Sequence, residues 1–221
     1  MINEYCWRGI GALLLAIMSG GLFALSANED AIRNRVGFSG TLTSSDTYSL
    51  DVTYHYMLSD YIGVGGALGW WKNYYEDGRA HGNHWTVDDD DLRPSNVYLR
   101  PSMVLKTPGL TYKAARWALF AEPGVMLNIP YKRVWVALTP HWPHTDYAYV
   151  STSRGQWFAA EVRAGVNVDI ELCSISFGYI LSNLDIYSQY RHLSYDGISF
   201  RDFYPVKPCM QGAFLSVAFN F

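Results

Sequence analysis

Arg100, Glu122, Glu161 and Arg163 set two cations and two carboxylates within short alternating segments, and Asp51 and His55 add an acid and an imidazole. Paired carboxylates can do acid–base work, whereas the same groups in a narrow interior neutralise one another as buried ion pairs. His192-Leu-Ser194 puts a base two residues from a hydroxyl, the beginning of an activated nucleophile if an orienting acid joins them. His81, His84 and the run Asp88–Asp91 are donor types for a transition metal or calcium, but they match no EF-hand spacing. Neither a metal nor a cofactor is expected. Trp135, Trp142, Tyr147 and Tyr149 crowd one segment, as in a contact surface or a membrane boundary. Which chemistry applies depends on the elements that carry these residues.

The chain's 221 residues suit one domain or at most two, and 49% hydrophobic with 16% aromatic content gives ample apolar material. After the first 30 residues no run of about eighteen apolar residues occurs, so no helical span is expected. A net charge of -3 gives no basis for a nucleic-acid surface. Residues 1–27 read as a cleaved signal peptide. Arg8 supplies the positive start, Gly9 to Met18 the apolar centre, and Ala24-Leu-Ser-Ala27 the small residues at cleavage spacing. Cys6 lies inside that signal, so no lipid attachment site is formed. Residues 28–35 are expected to be a short periplasmic segment, followed by the barrel over 36–221. Export would leave Cys173 and Cys209, which could form one bridge in an oxidising compartment, although their expected places near opposite rims disfavour it.

Eight segments alternate with period 2: Val36–Thr43, Thr47–Met57, Tyr61–Trp71, Asn96–Lys106, Arg116–Asn128, Gln156–Ile170, Cys173–Ser182 and Gln211–Phe221. In the second, Tyr48, Leu50, Val52, Tyr54 and Tyr56 oppose Ser49, Asp51, Thr53 and His55. In the third, Ile62, Val64, Leu68 and Trp70 oppose Gly63, Gly65, Ala67 and Gly69, a small-residue face suited to a crowded interior. Within the cores of these strands every charge falls opposite the apolar face. An outward Lys or Arg at mid-membrane costs about 2–4 kcal/mol, so excluding charge from one face marks it as lipid-facing. The connections alternate short and long, as in an antiparallel up-and-down transmembrane barrel with short periplasmic turns and long extracellular loops. A ten-strand version would add Tyr131–Leu138 and Tyr147–Ser153. Their length and their Lys132 and Arg133 favour reading them as the fifth and sixth strands continued above the membrane.

With that strand count, that loop asymmetry and the closing Ser216-Val-Ala-Phe-Asn-Phe221, the chain resembles the small outer-membrane β-barrels of the OmpA membrane-domain and OmpX-like kind. The resemblance covers roughly residues 36–221. It implies residence in the outer membrane of a Gram-negative-type bacterium, among outer-membrane lipids including lipopolysaccharide. It also implies insertion by the barrel-assembly machinery, with Phe219 and Phe221 as the assembly signal. Eight strands leave a lumen that side chains fill. Arg100, Glu122, Glu161, Arg163, Asp51 and His55 are therefore expected to form a closed, salt-bridged plug. The leading expectation is a non-enzymatic barrel whose long loops serve structural, adhesive or partner-binding roles. An extracellular or outer-membrane protein partner would meet Trp135, Trp142, Tyr147 and Tyr149. The alternative is a lipid A-modifying hydrolase, because His192-x-Ser194 is similar to the His-x-Ser arrangement of PagL-like deacylases.

Overall fold

The computed structural model describes residues 33–129, 131–138 and 146–221. The signal-peptide reading of residues 1–27 and the expected contact residue Trp142 lie outside the described residues. Eight long strands are β1 (Asn34–Thr43), β2 (Thr47–Met57), β3 (Ile62–Asn73), β4 (Ser95–Lys106), β5 (Ala115–Asn128), β6 (Phe158–Ile170), β7 (Cys173–Ser182) and β8 (Met210–Asn220). Each pairs antiparallel with its neighbours in sequence, and β8 returns to β1 from Arg35↔Asn220 to Thr43↔Gly212. The ladder is closed, which leaves no unpaired barrel edge and is the condition for β structure to cross hydrocarbon. The fold is an eight-stranded antiparallel up-and-down transmembrane β-barrel.

Alternation decides the two faces. Phe38, Leu50, Leu68, Leu99, Leu119, Phe177 and Leu215 stand exposed on the outer wall, while Ser39, Asp51, Arg100, Glu122, Glu161 and Arg163 are buried inside. A soluble sandwich would reverse this pattern. The inner wall of β3 is the concave side that admits large neighbours. A Cβ at Gly69 would stand 2.5 Å from Cζ of Tyr98 and would also strike Asp51. At Gly65 it would meet Cα of His55 at 2.7 Å. Glycine on this wall makes room for the side chains of β2 and β4.

One end of the barrel has the short connections 58–61, 107–114 and 171–172. The other has the tight turn 44–46 and three long segments, 74–94, 129–157 and 183–209. Asn34 and Arg35, assigned by alternation to a segment before the barrel, instead open β1 and pair with Tyr56 and His55. Cys173 at the start of β7 pairs with Phe219, whereas Cys209 precedes β8, whose Met210 pairs with Ser182 at the other end. Cys173 is a free thiol.

The hairpin Lys132–Leu138 and Tyr147–Thr152 does not enter the barrel. It joins Trp85–Val87 in a separate sheet, in the order 85–87, 132–138, 147–152. The count is therefore eight, and the expectation that these segments simply prolong β5 and β6 is corrected. Trp85–Val87 supplies a third strand, and with it Val134 and Val136 bury completely in a core above the barrel.

Candidate functional site

Midway along the lumen, alternation on β2, β4, β5 and β6 aims five charged side chains and one imidazole at one another. Arg163 Nη2 lies 2.6 Å from Asp51 Oδ2, and its Nε lies 2.9 Å from Glu161 Oε1. Arg100 bridges the two glutamates, with Nη1 3.2 Å from Glu161 and Nη2 2.9 Å from Glu122. Ser102 donates to Glu122 at 2.9 Å, and His55 Nε2 lies 3.0 Å from Ser102 Oγ and 3.4 Å from Glu122. Tyr98 donates its hydroxyl to Asp51, and Arg163 donates to Ser39 at 3.0 Å. Arg100 is fully buried, yet among the described residues its nitrogens make ion-pair contacts without well-aligned hydrogen bonds, and Glu161 Oε2 has no hydrogen-bond partner. All six expected interior residues thus meet in one continuous constellation.

A second layer lies towards the short-turn end, and alternation alone did not assemble it. Asp169 takes Arg35 Nη2 at 3.2 Å and Lys106 Nζ at 3.1 Å, and also accepts from Ser174. Arg35 further donates to Asn220 at 2.8 Å, while Ser176 donates to Asn167 at 2.9 Å. Between the layers a cavity of about 30 Å³ is bounded by His55, Glu122, Arg163 and Asn167 among others. That volume suits a few waters rather than a substrate or a permeation path. Two ion-paired layers and aromatic side chains therefore fill the lumen.

At the long-loop end the connections build a second core. Trp71, Tyr98, Met126, Ala159 and Met210 from the barrel mouth continue into Trp85, Val87, Val134, Val136, Leu184, Ile186, Tyr187, Tyr190, Leu193, Phe200 and Tyr204. Tyr204 stacks on Tyr187 at 5.4 Å, and Trp85 on Phe200 at 5.6 Å. Ion pairs tie the segments together: Lys207 to Asp77 at 2.5 Å, Lys132 to Asp91 at 3.4 Å, and Arg191 to Asp185. Asp91 also accepts from the Trp135 backbone at 2.7 Å, and Tyr190 donates to the Asp91 carbonyl at 2.7 Å. Burial pushes the Tyr204 phenol up to about 12. It also raises Tyr190 and Tyr187, the latter helped by its hydrogen bond to Asp77. The long loops form a folded cap over the barrel mouth.

The sheet 85–87, 132–138, 147–152 has two unlike faces. Val134, Val136 and Val150 point into the cap core. Trp135, Tyr147 and Tyr149 point away and are exposed. Trp135 meets Tyr149 edge-on at 5.6 Å, and the Arg133 guanidinium lies 4.7 Å over the Tyr149 ring. Three of the four expected contact aromatics are thus gathered on one surface, the fourth being outside the described residues.

His192 ends a 3-10 turn and Ser194 opens a two-residue strand paired with Ile198–Ser199; both are exposed. Among the described residues no hydrogen bond joins His192 to Ser194 or either side chain to a carboxylate, so no nucleophile–base–acid set is assembled. His81 packs edge-on against Phe203 at 5.0 Å, and Asp89 pairs with Arg79 at 2.7 Å. Among the described residues no cluster of three or more His, Cys, Asp or Glu is placed to hold a metal. Phe219 and Phe221 are exposed at the short-turn end.

A closed eight-strand ladder, an apolar exterior and a charge-packed lumen define a small barrel of outer-membrane type. No protein-family model and no curated protein matches the chain. Solved outer-membrane barrels align along most of it. A major outer membrane protein from Thermus thermophilus is 13% identical, with 86% of this chain and 100% of that one covered and a TM-score of 0.47. The N-terminal barrel domain of Pseudomonas aeruginosa OprF is 12% identical, with 86% and 98% covered and a TM-score of 0.38. The outer membrane enzyme PagL is 12% identical, with 85% and 99% covered and a TM-score of 0.41. Likeness at this level carries no residue-by-residue correspondence.

Proposed function

We propose that this chain is a closed, non-enzymatic outer-membrane barrel that holds a folded cap outside the cell and engages a protein partner through the cap's aromatic sheet face. The observation that supports it is the pairing of faces on one sheet. Val134 and Val136 lock the sheet to the cap, which leaves Trp135, Tyr147, Tyr149 and Arg133 presented on a rigid support. Tyr, Trp and Arg on a pre-ordered surface are the side chains that supply most binding energy in interfaces, because they bury large area at little entropic cost. Among the described residues Tyr147–Thr152 pairs on one side only, which adds an edge for strand addition. Export by the signal peptide and insertion by the assembly machinery, with Phe219 and Phe221 as its signal, would put the cap on the cell surface. The plugged lumen then serves as an anchor.

The test is photo-cross-linking in intact cells. A photoreactive residue at Tyr149 is expected to give a discrete protein adduct, and the same residue at Leu99 on the barrel wall is not. Trp135→Ala and Tyr149→Ala are each expected to weaken the purified complex by about 2 kcal/mol, roughly thirtyfold in Kd. Equal labelling from Tyr149 and Leu99 overturns the proposal.

A further inference from the structure

The outer wall carries a depression of about 460 Å³ at the closing seam. Leu42, Tyr48, Leu50, Ala213 and Leu215 surround it, and its floor is strand backbone at Gly40. Register explains the shape. Gly40 stands between Leu215 on β8 and Leu50 on β2, and the next outward row runs Ala213, Leu42, Tyr48. Leu42, Tyr48, Leu50 and Leu215, with the small Ala213 at one corner, thus border a position with no side chain. Leu42, Leu50 and Leu215 are all exposed on the lipid-facing wall.

Gly40 differs from most strand glycines. At Gly37, Gly65, Gly165, Gly178 and Gly212 an added Cβ would strike a neighbour inside 3 Å. At Gly40 the nearest atom would be Leu50 Cδ2 at 3.7 Å, an ordinary contact. Packing within the barrel therefore does not require glycine here, and glycine in a strand is disfavoured by its backbone entropy. The second observation is charge. Lys72 pairs with Tyr48 across β2 and β3, so the row that borders the depression continues to a cation near the long-loop rim. Tyr48 is held edge-on to Trp70 at 5.5 Å, which fixes that wall.

We infer that the depression seats one acyl chain of an anionic bilayer lipid from the leaflet at the long-loop end, with Lys72 beside its phosphate. Lipid tails are as apolar as leucine, so the hydrophobic effect supplies no preference inside a bilayer. Selection comes from dispersion contacts that a fluid annulus makes poorly over a concave surface, and from the Lys72–phosphate attraction. The site is continuous with the lipid-facing wall and independent of the cap's aromatic surface.

The test uses the full chain folded in detergent and titrated with dimyristoylphosphatidylglycerol, with bound lipid counted by native mass spectrometry. The wild-type chain is expected to take a first lipid at concentrations roughly tenfold below those needed by Gly40→Leu, which fills the depression. Lys72→Gln is expected to weaken the same adduct, and Ala164→Leu, an addition on the outer wall of β6, to leave it unchanged. Heat-dependent electrophoretic mobility checks that each variant is folded. Should Gly40→Leu not fold, Leu215→Ala removes a wall without adding bulk and carries the same expectation. Wild-type affinity in the folded groove variants, annular lipid only, overturns the inference.

Discussion

At the scale of single residues, the interior constellation makes the sharpest demands. Arg100 is fully buried and has Glu122 and Glu161 as its counter-charges. Glu122→Gln keeps the shape and removes one of those charges, leaving a buried guanidinium undercompensated. The expected loss is about 3–5 kcal/mol, since breaking a buried pair exposes the cost of desolvating the partner that remains. Urea unfolding in detergent reads it, and a wild-type midpoint would refute the buried-network account. The cap tyrosines make a pH prediction. The Tyr204 phenol rises from 10.0 to about 12 through burial, and Tyr187 and Tyr190 rise with it. A folded-state value above the unfolded one stabilises below the unfolded value and is lost as pH rises through the folded value. The cap is therefore expected to keep its full tyrosine contribution below pH 10 and to loosen as pH passes about 12. Phenolate absorbance should show these three tyrosines titrating late, together with loss of cap order; titration at the ordinary value would contradict it.

At the scale of elements, the strands were legible and the cap was not. Thr47–Met57 and Cys173–Ser182 have the bounds that alternation gives them, because a period of two with one lipid-facing side is a local property. The inward direction of Arg100, Glu122, Glu161 and Arg163 followed from the same alternation. Which carboxylate meets which guanidinium did not, because this depends on stagger between strands. Arg35 was missed since two residues of β1 preceded the first clear alternation. In the loops, Asp88–Asp91 read only as donor types without a ligand spacing, yet Asp91 holds Lys132 and the Trp135 backbone. That contact joins residues about forty positions apart, so no local pattern carries it. A signal was present in 183–209 all the same: Leu184, Ile186, Tyr187, Tyr190, Leu193, Phe200 and Tyr204 are too many large apolar residues for a wholly solvated loop. Trp85 is the element-level test, being 3% exposed and stacked on Phe200. Trp85→Ala is expected to destabilise the cap by about 3–5 kcal/mol, as large-to-small core changes do. Limited proteolysis should then cut within 74–94 or 183–209 while the barrel keeps its folded mobility. Cleavage no faster than wild type would mean that the cap does not depend on this core.

At the scale of the whole molecule, three fillings lie in series along one axis. The layer of Arg35, Lys106 and Asp169 closes the short-turn end, the Asp51–Arg163–Glu161–Arg100–Glu122 chain closes the middle, and the cap core closes the mouth. Eight strands give a lumen that side chains can fill, and here the fillers are ion-paired, so no single rotamer change opens a path. The cavity of about 30 Å³ between the first two layers has mixed walls, with Val104, Phe120 and Phe214 beside the polar groups, and is too small to form a continuous water column. Planar-bilayer recordings of the wild-type chain are therefore expected to show no large, steady open state. Removing the cap alone, by proteolysis of Trp85→Ala, is expected to leave conductance unchanged, because both ion-paired layers remain. A steady conductance that appears on cap removal would transfer closure from the lumen to the cap. The cap would then act as a gate, and a partner docking on Trp135 and Tyr149 would touch the element that controls permeation.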